Sequence, residues 1–481
     1  MRWVKATWEW LDDRTGMSTL LGPVFDHPVP AGAKWAYVFG SATMIAFIIQ
    51  VVTGIALSAA YVTSSGEAYA SLQALSDPVN NPLGYLLRGM HFYGASAMVV
   101  LVGLHMIQVF LYGAYKFPRE MNWLTGVVLF AVTLAMGFTG QLLRWDDVAV
   151  WSVYLAASMS SKVPVVGSGI AHFLVAGDTI GGATLSRFFA FHVFFIPALI
   201  FVFLGAHLWL VIHHGISEPP EAGRPVDPKT YRSWYHSYLE KHGVPFWPDA
   251  AWRDVVFGVG VVVVIMLLAW FWGPPHLGEE PDPSVIEVYP KPDWYLLWIF
   301  AALALLPGAL EEYVVFIGPL IIGGILVALP FISNRGERSW KRRPWAVASV
   351  IIIVLMIGSL WIKGVQAPWT PSFNAQALPP QVVNASTAEI QRGAELFNSQ
   401  GCQNCHAIAG YGGQRGPSLS NVADRLSREQ IAISILNGRR NMPAYATSMS
   451  PEDLAALVDF LQTRTAQTAE TEHNQAGGNT P

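Results

Sequence analysis

The sequence predicts an all-α protein: a seven-span transmembrane helical bundle followed by a small soluble all-α domain. Three observations predict it. Of 481 residues, 52% are hydrophobic and only 13% charged, with 19 Trp; an average soluble domain has about 25% charged residues. Eight stretches free of Asp, Glu, Lys and Arg run through the chain up to Ile362. Beyond Ile362 the composition turns polar and stays so. This excludes a soluble enzyme, a disordered chain and a nucleic-acid binder. The net charge of -4 implies no polyanionic partner. Two cysteines are too few for a disulfide-stapled secreted scaffold.

The uncharged runs are 35–66, 89–115, 121–143, 188–217, 255–278, 294–310, 313–334 and 344–362. A spanning helix needs about 20 apolar residues, and seven of the runs supply them easily. The run 294–310 is marginal, because it ends at Pro307-Gly308 and two acidic residues separate it from the next. Orientation decides that case. If 294–310 does not cross and the N-terminus is inside, the inside segments carry 16 Lys and Arg. The outside loops then carry five: Arg88, Arg144, Lys162, Arg187 and Lys291. That distribution obeys the positive-inside rule. If the run crossed, the basic loop 335–343 would move outside. The expectation is therefore seven spans, with 294–310 along the outer interface. The N-terminus is cytoplasmic, and the chain after Ile362 lies on the outer, periplasmic side of a cell membrane.

Residues 1–30 read as an amphipathic surface segment, with Trp3, Trp8 and Trp10 among charges. Residues 31–217 hold four spans and 218–363 three. Residues 364–386 form a Pro-containing linker, 387–465 the soluble domain, and 466–481 a polar, disordered tail.

Four histidines lie deep in two spans: His91 and His105 in the second, His192 and His207 in the fourth. Ionisable residues are costly there and point to function. Their spacings of 14 and 15 residues fall within about 40° and 60° of whole helical turns. Each pair therefore shares a helix face, with its members about 21 to 22 Å apart. Both spans run from outside to inside. His91 is thus level with His192 near the outer face, and His105 with His207 near the inner face. A lone histidine is more often a packed polar residue. Two stacked pairs fit bis-imidazole ligation of two non-covalent b-type haems, an outer one on His91 and His192 and an inner one on His105 and His207. The first four spans then form a di-haem four-helix core. Gly40 and Gly54 in the first span, and Gly126, Gly137 and Gly140 in the third, would let a flat macrocycle approach backbone. Ordinary small-residue helix packing uses glycine equally well. Arg88 and Arg187, just ahead of His91 and His192, are candidates for the outer haem propionates or for interfacial anchors.

Cys402-Gln403-Asn404-Cys405-His406 is a CxxCH motif, the signature of covalent c-type haem attachment. Cys402 and Cys405 would hold the haem c vinyl groups and His406 the iron. Met442, within Asn441-Met442-Pro443, fits the distal thioether position, with Met449 as the other candidate. A helix from Pro451 to Thr463 would close the domain.

These features together resemble the cytochrome b subunit of the cytochrome bc family, the quinol:cytochrome c oxidoreductases, over residues from about 30 to 363. The resemblance rests on His91 and His105, on Arg187-Phe188-Phe189-Ala190-Phe191-His192, and on Pro292-Asp293-Trp294-Tyr295. The last is similar to the family's Pro-Glu-Trp-Tyr loop, with Asp for Glu. It implies that Pro292, Asp293, Trp294 and Tyr295 line an outer quinol-oxidation site, that Asp293 and Tyr295 are catalytic, and that Asp293 is the general base. The other reading of Asp293 is a helix N-cap. The 15-residue spacing, Gly215-Ile216-Ser217 and the seven spans resemble the plastoquinol type, in which the protein is split into two chains. Residues 387 to 463 resemble a monohaem cytochrome c. Four further positions depart from the family. Val38 stands where the photosynthetic type has a haem-binding cysteine, so no such haem is expected. Arg144-Trp145 replaces a Pro-Trp, Gln108 an Arg, and Ile212 a basic residue of the inner quinone site. That leaves His213, His214 and Asp254 as quinone-binding candidates and proton donors there, although a solvated helix end would also suit either histidine.

The resemblance implies quinol oxidation at the outer face with divided electrons. One goes to a Rieske iron–sulfur partner and on to the tethered c haem. The other goes through the b haems to an inner quinone, with net proton release outside. It further implies a homodimer within a larger complex in membrane lipid, and a soluble or membrane cytochrome or other acceptor. The alternative from a different class is a di-haem anchor linking a dehydrogenase to quinone without bifurcation.

Overall fold

The computed structural model describes residues 2–177, 180–281, 291–306, 308–366, 378–412, 417–438, 442 and 444–468. Among the described residues, seven helices are long and apolar enough to cross a membrane: Phe39–Ser58, Pro82–Leu111, Glu120–Leu142, Gly182–His214, Phe246–Phe271, Tyr313–Ile332 and Pro344–Gln366, numbered here as the first to seventh spans. The marginal run yields only the helix Leu297–Ala304. Its eight residues rise about 12 Å, too short to cross, and it packs on the seventh span.

The first span packs on the second, the third on the fourth, and the fifth covers the first two. The second span starts cleanly because Asn81 accepts from the Gly84 amide at 2.9 Å and Pro82 fixes the first turn. An apolar layer of Ala42, Ala46, Phe47, Met98, Leu101, Ile196 and Ile200 fills the centre of the bundle. Met98 and Leu101 lie between His91 and His105 in sequence, and Ile196 and Ile200 between His192 and His207, so the layer separates the two levels. Burial at this density stabilises by about 25 cal/mol per Å² of apolar area.

The fourth span is not a uniform α-helix. Phe191–Phe195 forms a π-helical turn ahead of Pro197, which has no amide hydrogen to donate. A π-turn absorbs one extra residue. The 15 residues from His192 to His207 thus advance like 14 in a regular helix, which removes the mismatch with His91 and His105.

At the other end of the bundle four cations are buried. Lys116, Arg119, Arg338 and Arg343 are each at most 5% exposed. Lys116 Nζ donates to the carbonyls of Ser333 and Arg335 at 2.6 and 2.7 Å. Arg119 donates to the carbonyl of Gly215 at 2.9 Å and to Tyr231 Oη at 2.8 Å. Arg343 donates to the carbonyl of Phe110 at 3.0 Å and to Tyr115 Oη at 2.9 Å. Arg338 pairs with Glu218 and donates to its carbonyl at 3.0 Å. Uncompensated buried charges would be costly. Here they meet the orphan carbonyls and negative dipole ends of the second, fourth and sixth spans. Burial, then the nearby Arg343 and Arg338, push Lys116 down to about 8.

Two short antiparallel pairings tie distant segments together: Pro28–Pro30 with Gly243–Pro245, and Pro225–Val226 with Gly336–Glu337. The soluble domain has helices Ala388–Ser399, Cys402–Cys405, Arg428–Asn437 and Pro451–Gln462, with Phe397 against Phe460 in its core at a centroid distance of 6.0 Å. Its boundaries are wider than the sequence suggests. Leu378, Val382 and Val383, read as linker, are part of that core, and Arg464 donates to the carbonyl of Val382 at 2.7 Å. Ala466, read as tail, donates its amide to Asp424 at 2.6 Å. Much of the proposed linker and tail (367–377 and 469–481) lies outside the described residues, as do Asn441 and Pro443.

Candidate functional site

The rings of His91 and His192 face each other across the bundle, with centroids 6.1 Å apart and planes at 76°. Two imidazole nitrogens each about 2 Å from a shared metal ion, in rings of about 1.1 Å radius, place ring centres about 6 Å apart. The pair therefore fits a haem iron held between two axial histidines.

The remaining ring nitrogens show which atom faces the metal position. His91 Nδ1 lies 2.9 Å from Thr53 Oγ1, and Thr53 Oγ1 already donates to the carbonyl of Ile49 at 2.6 Å. A hydroxyl has one proton, so His91 Nδ1–H must be the donor to Thr53. Thr139 donates to the carbonyl of Ala135 at 3.0 Å and accepts from His192 Nδ1 at 3.2 Å. The carbonyl of Met136 also accepts from His192 at 3.1 Å. Thr125 donates to the carbonyl of Met121 at 2.9 Å and accepts from His207 Nδ1 at 2.9 Å. Protonated at Nδ1, all three rings keep their Nε2 lone pair for a metal. His105 Nδ1 is buried with no hydrogen-bond partner among the described residues. His105 and His207 line one apolar cavity of about 820 Å³, room enough for a large flat cofactor.

Four of the five candidate glycines face one of these histidines. A Cβ at Gly54 would come 3.2 Å from His91 Cε1, and one at Gly40 3.1 Å from His105 Cε1. At Gly140 it would come 2.6 Å from His192 Cε1, and at Gly126 3.6 Å from His207 Cε1. The glycines thus clear room for the imidazoles themselves. Gly137 does otherwise, since a Cβ there would strike the Tyr295 hydroxyl. Gly140→Ala is accordingly expected to displace the His192 ring, at an overpacking cost of about 1–3 kcal/mol, and to lower outer b-haem content. Gly126→Ala makes an ordinary contact and should retain both b haems. Pyridine haemochrome assay per mole of protein reads the difference.

At the end of the bundle nearer His91 and His192, Tyr295 Oη donates to Asp293 Oδ2 at 3.2 Å. The loop is pinned by Gln141 at the end of the third span, which accepts from the Asp293 amide and donates to the carbonyl of Lys291, both at 3.4 Å. Pro292 is half-buried in the same loop. Trp294 Nε1 reaches Ser96 Oγ at 3.2 Å. Burial raises the Asp293 carboxyl above its ordinary value; the Tyr295 hydrogen bond and Arg144 partly offset this, and Asp146 adds to it. Burial, reinforced by Asp293, raises Tyr295 as well. Asp293 is not a helix cap: the N-cap position of the following helix falls on Leu296, with no side-chain cap bond, and the Asp293 carbonyl merely accepts from the Leu296 amide at 2.9 Å. Arg144, a departure from the family pattern, is paired with the fully buried Asp146 (Nε to Oδ2 2.9 Å).

Arg88 is buried and donates to Ser76 at 2.7 Å, and Arg187 donates to the carbonyl of Phe173. These bonds hold the two arginines at the helix ends near His91 and His192. At the end nearer His105 and His207, Asp254 lines the cavity and accepts from Ser41 at 2.6 Å. His213 and His214 do not line it. His213 is exposed and stacked on Trp209 at 5.2 Å, and the His214 carbonyl accepts from Arg119 at 3.3 Å. His27 and Lys34, which sequence reasoning missed, do line it.

In the soluble domain, His406 Nδ1 donates to the carbonyl of Pro417 at 2.8 Å, which leaves Nε2 for iron. Burial lowers the His406 imidazole and pushes the Cys402 thiol up to about 12. Met442 packs against the domain core, and Met449 lies within it.

Stacked imidazole pairs in a spanning bundle, together with a tethered CxxCH domain, define a membrane-embedded haem electron-transfer protein. Family models agree: "Cytochrome b/b6/petB" matches residues 24–215, "Cytochrome b(C-terminal)/b6/petD" 281–378, and "Cytochrome C oxidase, cbb3-type, subunit III" 388–461. The chain is 30% identical to cytochrome b of Rickettsia prowazekii, over 75% of this chain and 88% of that one. It is 37% identical to cytochrome b6 of Synechococcus elongatus, over 45% of this chain and 100% of that one. It is 31% identical to cytochrome b/c1 of Bradyrhizobium diazoefficiens over 75% of this chain, and the match spans half the length of that protein. A solved structure described as a hyperthermophilic respiratory Complex III aligns with a TM-score of 0.64 and 26% identity, over 76% of this chain and 92% of that one. The chain belongs to the cytochrome b family of bc-type complexes and carries a C-terminal cytochrome c domain.

Proposed function

We propose that the chain is the membrane subunit of a quinol:cytochrome c oxidoreductase. One arrangement carries the reading: a buried carboxyl–phenol pair at one end of the bundle and the Ser41–Asp254 cavity at the other, joined by two histidine levels. His91 and His192 would hold an outer haem b, His105 and His207 an inner haem b, and Cys402, Cys405, His406 and Met442 the haem c. These groups, when bound, supply one-electron carriage between two quinone sites and outward to an acceptor. The residues themselves handle protons and position. Tyr295 holds the Asp293 carboxyl by its Oδ2, so Oδ1 can take the proton of a quinol hydroxyl. The Gln141 clamp keeps the loop over the pocket. Asp254, oriented by Ser41, supplies a proton to quinone at the inner face. In the family that the chain belongs to, the first electron goes to a Rieske iron–sulfur partner; the only two cysteines here belong to the CxxCH motif, so that centre would sit on another chain. The basic-residue asymmetry supports a cytoplasmic N-terminus, a periplasmic cytochrome c domain and proton release outside. A homodimer in a larger complex follows the family resemblance.

The test is a redox-difference spectrum of the purified complex with acid-acetone haem extraction and quinol:cytochrome c turnover. Two extractable b haems, one covalent c haem and Rieske-dependent turnover are expected. A single b haem, or turnover that survives Rieske removal, would sink the reading.

A further inference from the structure

Three Thr-Gly dipeptides stand out at the histidine levels: Thr53-Gly54, Thr125-Gly126 and Thr139-Gly140. In each, the glycine faces an imidazole edge and the threonine hydroxyl takes that imidazole's Nδ1–H. The fourth position is Phe39-Gly40. Its glycine still faces His105, but no hydroxyl precedes it.

We infer that these threonines set the step in electron affinity between the two haem levels, Thr53 and Thr139 making the outer level the poorer electron acceptor. The inference rests on the histidine assignment proposed above. A hydrogen bond accepted from Nδ1–H shifts electron density into the ring and makes Nε2 a stronger donor. A stronger axial donor favours the ferric over the ferrous iron. At the outer level both imidazoles are so bonded: His91 to Thr53, and His192 to Thr139 and the carbonyl of Met136. At the inner level His207 has Thr125 and the carbonyl of Asn122, so the imbalance lies in His105, whose Nδ1 has no protein acceptor among the described residues. The imbalance favours electron movement from the outer to the inner level. The hydroxyls are fit for this role because each spends its own proton on a carbonyl four residues back, so its oxygen can only accept.

Thr53 gives the cleanest test, since it is the one partner found for His91 Nδ1. Thr53→Val removes the hydroxyl and keeps the shape; Thr53→Ser keeps the hydroxyl. Equilibrium redox titration of the two b-haem bands in the intact complex is the readout. Thr53→Val should raise the reduced:oxidised ratio of the outer haem at fixed poise by roughly three- to tenfold, tenfold being about 59 mV for one electron. The inner haem should be unmoved and Thr53→Ser near wild type. Thr125→Val should raise the inner haem alone, which keeps the inference testable if Thr53→Val loses its haem. Unchanged titrations with both haems present would overturn it. So would an equal shift in Thr53→Ser, which would mean that volume, not the hydrogen bond, matters. A wild-type complex without two b haems would instead defeat the histidine assignment itself.

Discussion

His105→Leu is expected to give an assembled protein that has lost the inner b haem and keeps the outer b haem and haem c. Leu fills a similar volume, so the packing of the second span against Gly40 is kept, but it offers no lone pair to a metal. The apolar layer around Met98 and Ile200 separates the two levels, so damage at one should not spread to the other. Losing an axial ligand should cost more than the roughly 10- to 100-fold that follows loss of a supporting hydrogen-bond partner. Turnover that depends on the inner site should fall below detection. Difference spectra with selective reductants measure this, and an unchanged b-haem content in the variant refutes the pairing of His105 with His207.

Asp293→Asn is expected to lower quinol oxidation by about 100-fold, the low end of the loss of a general base. Asn can still accept from Tyr295 and keep the loop on Gln141, but it cannot take a proton at neutral pH. Helix capping is not at stake, because the N-cap position falls on Leu296 and the Asp293 side chain caps nothing. The pH dependence gives a second readout. A base works only when deprotonated, and burial raises the Asp293 carboxyl. The wild-type rate should therefore rise with pH along a limb above the ordinary carboxylate value of about 3.9. That limb should vanish in Asp293→Asn, with all three haems retained. A variant with wild-type turnover and an unchanged limb would mean that the quinol proton leaves by another route.

Much of this was legible in the chain because membrane and haem chemistry leave coarse marks. A charge among apolar residues is costly, so the spans show as uncharged runs and His91, His105, His192 and His207 stand out. Cys402 to His406 is local and needs no fold to be read. Other features carry no such mark. Thr53, Thr125 and Thr139 are neutral residues in apolar runs, and their role appears only once a second helix brings an imidazole to them. A repeated Thr-Gly at 14-residue spacing (125–126 and 139–140) is the signal that could have found them. Gln141 reads as a solvated helix end. His213 and His214 were plausible by position, but neither lines the inner cavity, while His27 reaches it from a segment far away in sequence. The Pro-rich stretch before Ala388 reads as linker, although Val382 and Val383 plug the cytochrome c core.

The buried cations at the inner end bear on how such genes can be arranged. Lys116 grips Ser333 and Arg335, Asn334 bonds Glu120 and the Phe117 amide, Arg338 holds Glu218, and Arg343 reaches back to Phe110. Every one of these bonds joins the stretch matched by the first cytochrome b model, or the residues just after it, to the stretch matched by the second. The strand pairing at Pro225–Val226 does the same. The two halves are thus stitched by side chains and backbone, in part through Glu218 and Pro225–Val226 of the segment that links them in sequence. A break in that connecting segment would turn these internal contacts into a subunit interface without altering one of them. Gene fission and gene fusion are then nearly neutral events for the folded bundle, and one long chain or two shorter ones can build the same membrane core.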